Sequence, residues 1–438
     1  MSSDSDRIKE LEGELERARK EIRRLKKIEE EYEEHKQECV ALKREVPAFM
    51  KEEILHKVRR KLGAPIGHKG YWRRISGRVD FVKPLRILTC PCCGGRLSGV
   101  QEVRERYVED LPEIPPPVVT KYVIERRYCA QCRKLVEAEV PDALPGARLG
   151  LRVMLLIAFL KIRMALPESK IVELLRSAHA FNICAAEVVC VLDQLRRAFG
   201  PHYTKIERKI REARIKGCDE TGWRLDGINH WVWCMVNEEV AWYKVHRRRS
   251  YKAIEPVLKD QTGNLIVHDR LPTYNQLAAE TGCAQQVCWA HILRDSKRLA
   301  KYYGEARTVH RRLKSIFHKA RRLVSHATSH DMECLLARVD KIGGLHFEHK
   351  SIRTFRNSIC KKHRGNLFHF VTNPAVPPTN NGTERAIRKA VIIRKISNGS
   401  RSEKGARILE TILSIIETIR LQGKNPLEEM HRMLTSRA

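Results

Sequence analysis

Three acidic side chains sit where metal chemistry would need them. Asp219 lies in "KGCDETGW", Asp269 in "NLIVHDR" and Glu384 in "PPTNNGTERAIRKAVIIRK". The first two are expected at the ends of strands that neighbour each other in a sheet, so their carboxylates can lie side by side. Two close carboxylates repel and need a cation. Hard oxygen ligands suit Mg²⁺ or Mn²⁺. Glu384 starts a helical pattern after a loop rich in Pro, Asn and Gly, and it can complete such a site. Two ions held this way clamp a phosphate. One activates water or a 3′-hydroxyl and the other stabilises the leaving oxygen. An acid among Arg385, Arg388, Lys389, Arg394 and Lys395 would be neutralised, unless those cations hold a polyanion instead. Asn381, Arg385 and Arg388 are the candidates for that grip, since Arg388 lies one helical turn from Glu384. Other readings stay open. Glu220 competes with Asp219, and an acid at a strand end is often a turn or cap residue. Glu384 is also favoured in a first helical turn by the dipole. Asp226 reads as a turn residue and Asp295 as a helical surface acid.

The cysteines form a second group. Cys90 and Cys93 frame "CPCC", and Cys129 and Cys132 frame "CAQC". A two-residue gap lets both thiolates reach one metal, and two such pairs make a closed tetrahedral site for structural Zn²⁺, a zinc ribbon. The pairs are 35 residues apart, "EIPPPVV" lies between them, and Cys92 offers a competing sulfur. "CWAH" gives Cys288 and His291 metal-like spacing as well. With no second pair beside them except Cys283, the expected role is packing where a strand meets a helix.

These residues need a frame. From 214 onward the pattern reads as three strands, helix, strand, helix, strand, helix: "RIKGCDETGW", then "HWVWCMVN" and "AWYKVHRR" as a hairpin, then "NLIVHDR", "YNQLAAET", "AQQVCWA" and "HILRDSKRLAKYY". That order predicts a ribonuclease-H-like mixed sheet flanked by helices. The whole chain is expected to be an α+β multidomain protein. A coiled coil spans 1–46, where Ile8, Leu11, Leu15, Ile22 and Leu25 lie on an apolar seam, and it suits self-association into a homo-oligomer. A basic Gly-rich arm follows over 47–84, a zinc-ribbon domain over 85–143 and a helical region over 144–209. That region suits a helix-turn-helix-like DNA contact or, more simply, ordinary helical packing. The catalytic core would occupy 210–300 and 373–438, interrupted by helices over 301–372.

The chain carries 84 Lys and Arg against 53 Asp and Glu, a formal +31, which implies nucleic acid as partner. Residues 1–46 hold 12 basic and 14 acidic side chains, so the surplus lies downstream. The polar opening "MSSDSDRIKELEGEL" predicts no secretion signal, and "VMLLIAFL" is too short to span a bilayer. Fourteen cysteines without such a signal point to a reducing compartment, here the cytoplasm and its nucleoid.

"DETGW", "HDRLPTYN", "CWAHILRD" and "NNGTERAIRKAVIIRKISNGSRSEKGA" together resemble transposases of the insertion-sequence-66 family. "GAPIGHKGY", the paired knuckles and the N-terminal coiled coil are similar too. The resemblance implies a DDE transposase with the triad Asp219, Asp269 and Glu384. It implies a largely helical insertion between the last two acids. It also implies that the zinc-binding and helical N-terminal parts recognise transposon ends, and that small accessory proteins of the element take part. The expected activity is Mg²⁺-dependent cleavage at the element's ends and strand transfer into target DNA. The competing expectations are a transposase-derived DNA-binding protein without strand transfer, and a resolvase or ribonuclease of similar fold.

Overall fold

The computed structural model describes residues 77–258 and 263–436, with Leu15, Glu16 and Ile22 as isolated positions. Apart from those three, the coiled coil expected over 1–46 lies outside the described residues, as does the basic arm up to residue 76. The chain divides into two compact units, Met1–Leu111 and Pro112–Ala438.

In the first unit, Thr89 and Arg96 pair as an antiparallel bridge around the first cysteine knuckle. The second unit opens with a two-stranded ribbon, β1 (Arg126–Cys129) and β2 (Lys134–Glu137), whose turn is the second knuckle. Four helices follow: α1 (Leu151–Ala158, continued by a π-helical turn Phe159–Arg163), α2 (Glu168–His179), α3 (Ala185–Ala198) and α4 (Gly200–Glu212). Then come β3 (Ile215–Leu225), β4 (Ile228–Val236), β5 (Ala241–His246), α5 (Glu255–Leu258), β6 (Leu265–His268), α6 (Pro272–Thr281), β7 (Ala284–Val287) and α7 (Trp289–Tyr302). The sheet order is β5-β4-β3-β6-β7. β3, β4 and β5 form an antiparallel meander, while β6 and β7 run parallel to β3. The strand and helix order is the one the sequence predicts.

Two strand boundaries differ from expectation, each for a physical reason. The sequence suggests that "RIKGCDETGW" is a short strand running into a turn. In fact β3 runs on to Leu225, and the turn is Asp226-Gly227, both with positive φ, as a two-residue hairpin favours. The glycines within β3 mark close approach, not a turn: a Cβ on Gly222 would meet the Arg394 guanidinium at 3.3 Å. The last strand stops at Val287 because Trp289 already starts α7, its N–H bonded to the Pro378 carbonyl at 3.0 Å.

Between α7 and the return to the sheet lie α8 (Ala306–Arg322), α9 (Ser329–Gly343), α10 (Lys350–Asn357, with a π-helical continuation Ser358–Lys362) and α11 (His369–Thr372). They form a hydrophobic core with Leu265, Val267, Val287 and Trp289. A larger core joins α1–α4, Ile266 and much of β4 and β5 to the closing helices α12 (Asn381–Ser397), α13 (Glu403–Leu421) and α14 (Pro426–Thr435). The helices at 151–212 therefore share one core with the sheet. Alternation along β6 sends Leu265 and Val267 to one core and Ile266 to the other.

α13 is buried all round from Ile408 to Ile419, not only along its apolar stripe. Its polar residues cover the open edge of β5. Val245, Tyr243 and Ala241 donate their backbone N–H groups to Glu410 Oε1 (2.8 Å), Ser414 Oγ (3.0 Å) and Thr418 Oγ1 (3.0 Å). Every fourth helical residue advances about 6 Å, and every second strand residue about 6.6 Å, so the two series stay in step. An edge that would otherwise recruit another strand is closed by side chains.

Candidate active site

The register of β3 and β6 sets the first two carboxylates. Ile215 pairs with Leu265 and Gly217 with Val267. Two residues further along each strand are Asp219 and Asp269, so the register brings them level, one step past the end of β6. Side chains level across a parallel pair point to the same face, and neighbouring strands lie about 4.8 Å apart. Asp269 Oδ1 accepts the Leu271 N–H at 3.1 Å, and Asp219 Oδ1 accepts the Glu220 N–H at 2.9 Å.

Alternation also separates Asp219 from its competitor. Glu220 points to the other face and is buried. There its Oε1 accepts from Arg249 at 2.7 Å and its Oε2 from the Tyr274 hydroxyl at 3.0 Å. Asp295 is paired with Arg270, and Asp226 sits in the hairpin turn. Among the described residues, no Lys or Arg forms an ion pair with Asp219 or Asp269. Burial, repulsion from Glu220 and Asp269 and a smaller push from Glu384 raise Asp219 to about 7, against the Glu220 N–H.

Glu384 reaches this face because the start of α12 docks directly on β3. Asn380 is buried. It donates Nδ2–H to the Cys218 carbonyl at 2.8 Å and its backbone N–H to Cys288 Sγ at 3.1 Å. Thr383 sits so close to Gly217 that an added Cβ would lie 2.0 Å from its Oγ1. The contact is possible only because residue 217 has no side chain. Glu384 Oε1 lies 3.4 Å from His291 Nδ1, and Oε2 lies 4.0 Å from Arg294. Thus the acid's immediate neighbours come from α7, not from the cations that follow it on α12. Arg385, Arg388 and Asn381 are exposed.

Sequence reasoning missed Gly217, Asn380 and Thr383 as determinants of the site, and it missed His291 as a neighbour of Glu384. "CWAH" and "NNGT" were the available signals, but nothing in either says that they meet.

The two knuckles are built alike. In the first, the amides of Cys92 and Cys93 turn toward Cys90 and hold its thiol below the ordinary range. Gly94, at φ 72°, closes the turn. In the second, the Cys132 N–H points at Cys129 Sγ at 3.4 Å and lowers that thiol likewise.

The chain belongs to the transposase IS66 family, whose profile matches residues 146–408, more than half of the sequence. The match includes all three carboxylates and "CWAH"; the knuckles precede it. Comparison with curated proteins gives no match. Membership implies a protein that acts on DNA. Among the described residues, no helix is long and apolar enough to cross a membrane.

Proposed function

We propose that the chain is a DDE transposase that cleaves DNA at the ends of an insertion sequence and joins the freed 3′ end to target DNA. The sheet and helix order is that of a ribonuclease-H-like core, with α8–α11 as its helical insertion. The observation that carries the reading is the level pair Asp219 and Asp269. In a chain of formal +31, these two acids have no cationic side-chain partner among the described residues, and the charge of Glu384 bears on Asp219. Repelling, half-buried oxygens of this kind fit Mg²⁺ or Mn²⁺. Asp219, Asp269 and Glu384 would hold the ions. Bound there, such ions supply an activated water or 3′-hydroxyl and a stabilised leaving oxygen.

The remaining work falls to the protein. Gly217, Asn380 and Thr383 fix the third carboxylate against β3. Glu220, tied to Arg249 and Tyr274, keeps the strand's other face rigid. Asn381, Arg385 and Arg388 would grip phosphates beside the acids, together with the exposed Arg294, Lys297 and Arg298 of α7. Structural Zn²⁺ at Cys90, Cys93, Cys129 and Cys132 is a proposal resting on ligand spacing. Oligomerisation through the coiled coil and help from accessory proteins are proposals too.

The test is incubation of the purified chain with DNA carrying the element's terminal repeats, with and without Mg²⁺. The reading requires nicks at the repeat ends and joined products that need the ion. Binding without nicking, unchanged by Asp269→Ala, would instead indicate a DNA-binding protein derived from a transposase. Cutting of branched DNA or RNA hybrids without terminal repeats would indicate a resolvase or ribonuclease.

A further inference from the structure

Beside the paired aspartates lies a second donor set of different chemistry. Ligand atoms of Cys288, His291 and Glu384 all lie within 4.8 Å of one another. Cys288 caps α7 and His291 follows three residues on, so both face one side of the helix's first turn. Glu384 comes from the first turn of α12. The Cys288 sulfur receives the Asn380 N–H at 3.1 Å; burial raises this thiol, against the pull of the Asn380, His291 and Ala290 amides. A second observation is independent of the first. His291 Nδ1 and Glu384 Oε1 face each other at 3.4 Å, both atoms are shut off from solvent, and neither has a hydrogen-bond partner.

We propose that Cys288, His291 and Glu384 bind a zinc-class ion. A thiolate and an imidazole select such a metal over Mg²⁺, which takes oxygen ligands. In a tetrahedral zinc site, bonds of about 2.0–2.3 Å put ligand atoms roughly 3.3–3.8 Å apart, so side-chain rotation on the scale of an ångström closes the set. Three protein ligands leave one position open, unlike a sealed four-cysteine site. The ion engages Glu384 at Oε1, the oxygen that otherwise lacks a partner. Binding at this site does not depend on the catalytic role of Glu384. One consequence does rest on it: zinc draws on a carboxylate that the Mg²⁺ site needs, so bound zinc raises the Mg²⁺ concentration required for cleavage.

The experiment loads the full-length chain with zinc chloride, removes free metal by gel filtration and measures zinc per chain. Cys288→Ser keeps an acceptor for the Asn380 N–H, and His291→Asn keeps a polar side chain of similar reach. Each is expected to carry one zinc fewer than the wild type while melting at the same temperature without metal. Equal zinc content in the wild type and both folded variants overturns the proposal. A further readout leaves this site intact. The chain with Cys90, Cys92, Cys93, Cys129 and Cys132 all replaced by Ser, loaded with Co²⁺, should show a thiolate-to-cobalt charge-transfer band that Cys288→Ser removes, and a spectrum without that band overturns the site even if the other variants misfold. If zinc binds as expected but leaves the Mg²⁺ requirement of cleavage unchanged, the site stands and its link to catalysis falls.

Discussion

Replacing Gly217 with alanine tests how the third carboxylate is held. The new Cβ would sit 2.0 Å from Thr383 Oγ1 and 3.0 Å from Asn380 Oδ1. Ordinary contact between such atoms begins near 3.4 Å, so the start of α12 must retreat by about 1 Å or more. Thr383 cannot simply turn away. It is 3% exposed, and its branched side chain has few free rotamers. Glu384 is the next residue and moves with it. Overpacking of this kind costs about 1–3 kcal/mol, which a chain of this size survives. A displacement of about 1 Å at a reacting centre costs roughly 100-fold in rate. Gly217→Ala should therefore remain folded, with a modest drop in Tm, and lose about two orders of magnitude in Mg²⁺-dependent end cleavage. Thr383→Ala removes the nearest atom, so Gly217→Ala/Thr383→Ala should recover a large part of that loss. Cleavage by Gly217→Ala within a few-fold of wild type would refute the reasoning. So would a double variant no better than the single one, since coupling between touching residues is what a double-mutant cycle measures.

Further expectations concern the frame and the DNA grip. Ser414→Ala strands the buried Tyr243 N–H at the sheet edge, and thermal unfolding should show a loss of about 1–3 kcal/mol, whereas an exposed serine would cost little. His268 and His363 are buried, and burial, aided by neighbouring positive charge, lowers them to about 3 and about 4. Their folded pKa values lie below the unfolded value near 6.5, so the unfolded chain takes up protons first as pH falls. Stability from this source is complete above that value and drains away between it and the folded values. At one pH unit below it the loss is about 1 kcal/mol per histidine, measurable as a falling Tm that His268→Gln makes shallower. Arg388→Ala should weaken binding to DNA of any sequence and reduce the salt dependence of log Kd by about one unit of slope, a change that fluorescence anisotropy across a salt series would detect.

Much of the frame is written in local pattern. The aromatic and β-branched runs "HWVWCMVN" and "AWYKVHRR", parted by "EE", read as a hairpin, and "NLIVHDR" has the length and turn chemistry of a buried strand. What escapes a linear reading is contact between distant segments. Nothing in the sequence around Gly217 and Gly222 tells that a helix from far along the chain rests on them. Glu410, Ser414 and Thr418 look like the solvent side of an amphipathic helix, yet they close a strand edge. Cys288 and His291 look like an incomplete ligand pair because their third partner, Glu384, lies 93 residues beyond His291. The level placement of Asp219 and Asp269 was legible, because parallel pairing of two strands that each end in an acid leaves little choice. Which face Glu220 takes was not, since alternation needs a register before it can assign sides.

The central claim is that Asp219, Asp269 and Glu384 act as one ion-holding group on DNA. It is tested most directly by single-turnover cleavage of terminal-repeat DNA by Asp219→Asn, Asp269→Asn, Glu384→Gln and the triple variant. Groups that work as a unit are not additive. Each single variant should fall to the same floor as the triple variant, while binding the DNA within a few-fold of wild type. Substantial Mg²⁺-dependent cleavage by any one of the three would contradict the account.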